Sequence, residues 1–278
     1  MRRAEQAEKP AAPANAPQLD GVVKGKYQGP EGSRRYYLTL PDSGRADVLI
    51  VMLHGCTQTA ADFMRATGMS DQAGARGVAV LWPEQTRTAN TMRCWNWFEP
   101  DQKGETDLLF ALIEDVQGRY GLGSADLCIG GLSAGGTMAA TLAAARPEAF
   151  AALGVHSGVM PGSAGGAREA FSVMRNGSGD TPPVLPPMIV FHGMDDNTVI
   201  PENGAELAAR ISGPREDGHS EGYDWHKTVG RKGEYWQIDG MGHAWSGAPE
   251  NGPHADPQGP DATAEMLRFF LKAVSENR

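Results

Sequence analysis

The chain has 278 residues, and 25 lysines plus arginines stand against 34 aspartates plus glutamates, a formal net charge of −9. No basic block is large enough to follow a phosphate backbone, and no stretch approaches the roughly 18 consecutive apolar residues that cross a bilayer as a helix, which argues against nucleic-acid binding and a transmembrane segment. The length suits one large domain with a substantial core, and the acidic balance serves solubility.

Residues 1–20 read as a flexible lead, rich in Ala, Pro, Glu and Gln and without the apolar segment of a secretory signal. If the protein is exported, its signal was removed ahead of this sequence. Residues 21–278 read as a single α/β domain. Residues 22–25 and 34–40 predict an opening hairpin. The run Val48-Leu49-Ile50-Val51-Met52-Leu53, within a predicted strand over 47–54, is apolar at every position and predicts a parallel strand covered on both faces.

A helix is expected over 60–75, a buried strand over 78–82, and an amphipathic helix over 105–119 with Leu108, Leu109, Leu112, Ile113 and Val116 at helical spacing. A strand over 126–130 feeds a helix that runs to residue 145 and stops near Arg146-Pro147. Short strands follow over 153–156 and 188–192, with a Pro-rich connector over 181–187 between them. A hairpin pairs 225–229 with 234–238, and a final helix covers 262–273. Strands alternating with helices imply a central, mostly parallel sheet flanked by helices.

The decisive segment is Gly131-Leu132-Ser133-Ala134-Gly135, which sits where a strand gives way to a helix. A serine in such a turn projects its hydroxyl clear of the backbone, and small neighbours let strand and helix close together. A hydroxyl is a poor nucleophile without a base. His243, in Gly240-Met241-Gly242-His243 directly after a strand, is the candidate base. Asp196, after the strand 188–192, is the candidate acid, with Asp195 shaping the turn beside it. The order Ser133, Asp196, His243 is that of an α/β-hydrolase. Backbone N–H groups of Ala134 and of Cys56 (or, second, Thr57) are placed to bind an oxyanion.

Other candidates carry structural roles. His54 and His192 end buried strands and are expected to orient loops, while His156 ends a strand near the active edge and is expected to support the site. Trp95, Trp97 and Phe98, and Trp245 after the base, read either as core or as rings flanking a substrate. Three cysteines leave at least one unpaired. Cys128 reads as a buried small hydrophobe, and Cys56 and Cys94 stand open between free thiols and a bridge. Neither a metal-ligand spacing nor a phosphate or dinucleotide loop is present, so no cofactor is expected. Nothing in the sequence sets the oligomeric state.

The segments Leu53-His54-Gly55-Cys56-Thr57-Gln58, Met92-Arg93-Cys94-Trp95-Asn96-Trp97-Phe98, Gly131-Leu132-Ser133-Ala134-Gly135-Gly136, Gly242-His243-Ala244-Trp245-Ser246-Gly247 and Asp256-Pro257-Gln258-Gly259-Pro260-Asp261-Ala262 together resemble the poly(3-hydroxybutyrate) depolymerase-like esterases, α/β-hydrolases related to feruloyl and acetylxylan esterases. The resemblance runs from about Tyr36 to Ala273. It implies Ser133 as nucleophile, Asp196 as acid and His243 as base. It further implies that Cys56 lies beside the oxyanion site and pairs with Cys94.

The substrate it implies is an ester: short hydroxyacyl or acyl esters, polyhydroxyalkanoate oligomers included, or alternatively feruloyl or acetyl esters of polysaccharides. Many members are exported, so a secreted or periplasmic location is expected, with the cytoplasm as alternative. Secreted polymer degraders of this type commonly add a linker and a polymer-binding domain. No such segment follows the catalytic region here, which favours small soluble esters. An extended apolar lid is not expected. A non-catalytic carbohydrate- or polymer-binding protein, with Trp95, Trp97 or Trp245 as contact residues, is the competing reading.

Overall fold

The structure is a computed structural model and describes residues 21–99 and 103–278; the expected lead over 1–20 lies outside the described residues. Ten strands form one sheet: β1 (Val22–Gly29), β2 (Gly32–Thr39), β3 (Val48–Leu53), β4 (Ala79–Glu84), β5 (Asp126–Leu132), β6 (Ala152–His156), β7 (Met188–Gly193), β8 (Arg215–Ser220), β9 (Tyr223–Gly230) and β10 (Gly233–Ile238). Their order across the sheet is β1-β2-β4-β3-β5-β6-β7-β10-β9-β8. The inner run from β4 to β10 is parallel throughout, and the pairs at each margin are antiparallel. This is the expected mostly parallel sheet, the α/β-hydrolase fold.

Helices cover both faces: α1 (Ala60–Thr67), α2 (Met69–Gly74), α3 (Lys103–Tyr120), α4 (Ala134–Ala145), α5 (Ala167–Asn176), α6 (Pro201–Leu207) and α7 (Ala262–Asn277). β3 explains why its sequence lacks polar alternation. Leu49, Val51 and Leu53 pack into the core under α3 and α4, while Val48, Ile50 and Met52 pack into the core under α1, α2 and α7. Each such side chain, fully buried, contributes roughly 1.5–3 kcal/mol.

The structure departs from expectation in four places. The single helix expected over 60–75 is two, because Gly68 takes φ 60° and closes α1 with its N–H on the Met64 carbonyl. β1 is twice the expected length, an exposed edge strand in which few positions are apolar. α5 and α6 stand where no element is expected. β8, Arg-Glu-Asp-Gly-His-Ser, carries no apolar pattern and forms only by pairing with β9. The hairpin into β10 is as expected, with Gly230 paired to Gly233 across a two-residue turn.

Candidate active site

Ser133 is the corner between β5 and α4, and its backbone sits at φ 57°, ψ −124°, a conformation that L residues rarely adopt. The turn closes only because its neighbours are glycines. A β-carbon at Gly131 would lie 2.4 Å from the Leu53 carbonyl oxygen, and one at Gly135 would lie 2.0 Å from the same oxygen. Such strain costs on the order of 1–3 kcal/mol. It is held by the Ser133 N–H on the His156 carbonyl at 2.8 Å, and by the Thr137 N–H and hydroxyl on the Ser133 carbonyl at 2.9 and 3.1 Å.

Asp196 lies just past β7 and is 2 % exposed. The N–H groups of Thr198 and Val199 both donate to its Oδ1 at 2.9 Å, and its Oδ2 stands 2.6 Å from Nδ1 of His243. Burial pushes this carboxyl up, but the bonds from His243 and the Val199 N–H outweigh it and hold the group below the usual carboxylate range. His243 follows β10, two strands along from β6. Its loop is stitched to the acid's loop by the Asp195 N–H on the Met241 carbonyl at 3.0 Å and the Met194 N–H on the Ile238 carbonyl at 2.8 Å. Asp195 is exposed, and its backbone shapes the turn. Ser133, Asp196 and His243 therefore stand at the carboxyl ends of β5, β7 and β10 on one edge of the sheet.

The supporting histidines are buried. His156 Nε2 accepts from the Ser246 N–H at 3.1 Å, and its ring stacks on Phe191 and lies 5.2 Å from Trp245. Burial first, then the neighbouring His192 and His243, push its pKa down to about 3, so it is neutral. His54 binds the Gly55 carbonyl through Nδ1 and accepts the Gln85 N–H through Nε2. His192 donates from Nε2 to the Val199 carbonyl at 2.8 Å, fixing the loop that carries Asp196.

Beside Ser133 opens a mostly apolar cavity of about 290 Å3, lined by Cys56, Met92, Cys94, Trp97, Phe98, Ala134, Val159, Ala170, Phe171, Met174 and Val199. Cys56 and Cys94 form a disulfide on its wall, and Cys128 is free and buried. The Thr57 N–H is taken by the Met92 carbonyl at 2.6 Å, while Cys56 and Ala134, the first residue of α4, both line the cavity together with Ser133.

Two expected substrate contacts are corrected. Trp95 and Trp245 are both fully buried and absent from the cavity wall. The Trp95 indole donates to the His54 carbonyl at 3.0 Å, and the Trp245 indole donates to the Thr263 hydroxyl at 2.9 Å. Each ring is spent on holding a loop. Of the three tryptophans only Trp97 lines the cavity. No group of three or more potential metal ligands occurs among the described residues.

A family model described as Esterase PHB depolymerase matches residues 34–209, more than half of the chain. The chain belongs to that family. Among similar proteins, poly(3-hydroxyalkanoate) depolymerase C of Paucimonas lemoignei is 29% identical over 236 residues, 73% of this chain but only 56% of that protein. Feruloyl esterase B of Neurospora crassa is 26% identical over 276 residues, 85% of this chain and 87% of that protein. An acetyl xylan esterase from Aspergillus awamori shares the fold with a TM-score of 0.64 at 20% identity, over 81% of this chain and 94% of that one. The family is one of serine-hydrolase-like esterases.

In this family member α5, which lines the cavity, is not legible in the sequence. Its Phe171 is 65 % exposed and, with Met92 at 56 %, stands on the cavity rim. The only signal was Ala170, Phe171, Val173 and Met174 on two adjacent helical faces, in a stretch otherwise full of glycine and serine.

Proposed function

We propose that the protein is a serine carboxylic-ester hydrolase acting through an acyl-serine intermediate, with Ser133, His243 and Asp196 as nucleophile, base and acid. The observation that carries this reading is the strained Ser133 corner on the same sheet edge as the 2.6 Å His243–Asp196 pair. His243 takes the Ser133 proton as Oγ attacks the ester carbonyl, and the N–H groups of Cys56 and Ala134 stabilise the oxyanion. Asp196 holds the imidazole tautomer and the imidazolium that forms. His243 then protonates the departing alkoxide, and water activated by the same ring releases the acid.

The acyl group enters the apolar cavity beside Ser133. At about 290 Å3 it lies at the small end of ligand pockets, which run roughly 300–1,000 Å3, so it accepts one short acyl or hydroxyacyl unit. Polyhydroxyalkanoate oligomers fall within that class. A second reading, an aromatic acyl group such as feruloyl, is favoured by the edge-on pair Trp97–Phe98, 5.5 Å between centroids, facing α5. The disulfide supports export to an oxidising compartment.

Purified protein should hydrolyse p-nitrophenyl butyrate, and Ser133→Ala should abolish nearly all of it; comparable turnover by folded Ser133→Ala would overturn the assignment. A panel of hydroxybutyrate oligomers, solid polyhydroxybutyrate, methyl ferulate and simple acyl esters, compared by kcat/KM, decides the acyl class. Preference for the solid polymer overturns the short-ester reading, and strong selectivity for methyl ferulate moves it to the aromatic alternative.

A further inference from the structure

The apolar cavity beside Ser133 opens to water at an apolar rim. Among the described residues the exposed large hydrophobic side chains are Met92, Phe171 and Val184, and the first two stand on that rim. Exposed apolar side chains scattered singly are ordinary, whereas two at one cavity mouth make a surface with something to bind. Val184 lies in the connector before β7 and is absent from the cavity wall.

Both side chains are carried on anchored backbone. The Met92 N–H donates to Asn90 Oδ1 at 3.0 Å, and the Met92 carbonyl accepts the Thr57 N–H at 2.6 Å. Phe171 rides on α5, whose last turn is clamped by α6. The buried Asn203 Nδ2 donates to the Val173 and Met174 carbonyls at 3.1 and 3.3 Å, and Glu206 accepts the Ser178 N–H and hydroxyl at 3.0 and 2.8 Å. Ala170 and Met174 of the same helix line the cavity, so Phe171 continues an apolar track that begins inside it. The polar side chains along the wall are spent on the protein. Asn90 Oδ1 also accepts the Cys94 N–H at 3.3 Å and its Nδ2 donates to Asn96 at 2.9 Å, while the Thr137 hydroxyl donates to the Ser133 carbonyl and accepts the Val159 N–H at 3.0 Å. Thr91 is exposed to water.

We infer that this rim is a second acyl subsite: a linear hydrocarbon chain, its first carbons in the cavity, leaves the mouth across Phe171 and Met92, which bind its distal carbons. This rests on the esterase reading of Ser133 and extends its acyl side from butyryl to hexanoyl and octanoyl groups. The Phe171 ring supplies a flat apolar face, and the unbranched Met92 side chain adapts to a chain of varying path. Each methylene taken out of water strengthens binding roughly fourfold. A hydroxyacyl chain of the same length would set its internal ester against a wall whose polar side chains are already used, and a polar group desolvated without a partner weakens binding. The subsite therefore selects plain hydrocarbon over a second hydroxyacyl unit.

The test compares p-nitrophenyl butyrate, hexanoate, octanoate and 3-butyryloxybutyrate, the last as long as octanoate but with an ester inside its chain, each below its solubility limit. Octanoate should exceed both butyrate and 3-butyryloxybutyrate in kcat/KM by about tenfold or more. Phe171→Ser and Met92→Ser should each lower the octanoate-to-butyrate ratio severalfold, mostly through KM, and Val184→Ser should leave it unchanged. A ratio that peaks at butyrate, an equal fall for both esters in the rim variants, or 3-butyryloxybutyrate turned over as well as octanoate would overturn the proposal. So would a rate that jumps only past the octanoate solubility limit, which assigns the rim to an aggregate surface, or a dimer that Phe171→Ser dissociates, which assigns it to a second copy of the chain. Saturation-transfer NMR of octanamide on Ser133→Ala protein reads the contact without turnover. Saturation of the terminal methyl that is lost on adding Phe171→Ser supports the subsite, and no methyl saturation overturns it. Inactivity of the wild type towards all four esters beside a positive octanamide signal would instead mark the failure of the esterase reading.

Discussion

Asp196 and Asp195 are chemically identical neighbours with opposite surroundings. Asp196 is buried, accepts two backbone N–H bonds and meets His243; Asp195 is exposed and contributes its backbone N–H. Asp196→Asn keeps the shape but offers His243 an amide in place of a carboxylate, so the tautomer and the imidazolium lose their support. Its kcat should fall on the order of 10³–10⁴-fold with KM little changed. Asp195→Asn should remain within a few-fold of wild type. Steady-state kinetics on one p-nitrophenyl ester decide between them, and a crippled Asp195→Asn beside a near-normal Asp196→Asn would reverse the assignment. The sequence made this pair legible because both residues follow an apolar strand and precede the histidine loop. It could not show that Trp95 and Trp245 are spent on the His54 carbonyl and the Thr263 hydroxyl, because an indole reads the same whether it faces core or cleft.

At the scale of elements, the segment from Cys94 to Trp97 has no regular structure and is held by charge. Arg34 on β2 is 4 % exposed and pairs with Glu105 on α3 at 2.9 Å. The other oxygen of Glu105 accepts the Asn96 N–H at 2.7 Å, while Gln85 bonds to Arg34, to Glu105 and to the Cys94 carbonyl. Through the disulfide this network reaches Cys56, so a buried ion pair helps to hold the loop proposed to carry an oxyanion donor. Glu105→Ala would strand the guanidinium and should cost roughly 3–5 kcal/mol in urea denaturation; a loss below 1 kcal/mol would show that water replaces the carboxylate.

The disulfide itself, closing a separation of 38 residues, should contribute about 4 kcal/mol by chain entropy. Reduction, or Cys56→Ser with Cys94→Ser, should lower both the thermal midpoint and kcat for p-nitrophenyl butyrate. A lower midpoint with kcat unchanged would separate the bridge from the oxyanion loop. The inner strands were legible because burial on both faces leaves uninterrupted apolar runs. α5 and β8 were not: the first is short and flanked by glycines, and the second is polar throughout and owes its form to β9.

At the scale of the whole molecule, the carboxyl edge of the parallel sheet is lined with histidines that are kept neutral. His54 follows β3, His156 ends β6 and His192 lies in β7, and all three are fully buried. Burial is the leading cause in each case: it pushes His54 down to about 4 and His156 down to about 3, and it lowers His192 as well. Their folded pKa values are depressed, so the unfolded chain binds more protons once the pH drops below about 6.5. The stability they preserve is fully present above that value and is lost as the pH falls towards 4.

Each ring contributes a slope of roughly 1.4 kcal/mol per pH unit inside the window, so His54 and His156 together remove roughly 4 kcal/mol between pH 7 and pH 5. Asp196 does not share the window, since its lowered carboxyl begins to lose stability only below its ordinary value of 3.8. Urea denaturation at pH 7 and pH 5 should show this loss at unchanged m-value, and His54→Gln, which keeps a donor and an acceptor without a titrating ring, should reduce the slope by about one proton. Equal stability at the two pH values would mean that these rings are charged in the folded protein, and the hydrogen bonds that fix the loops around Ser133 would then have to be drawn differently.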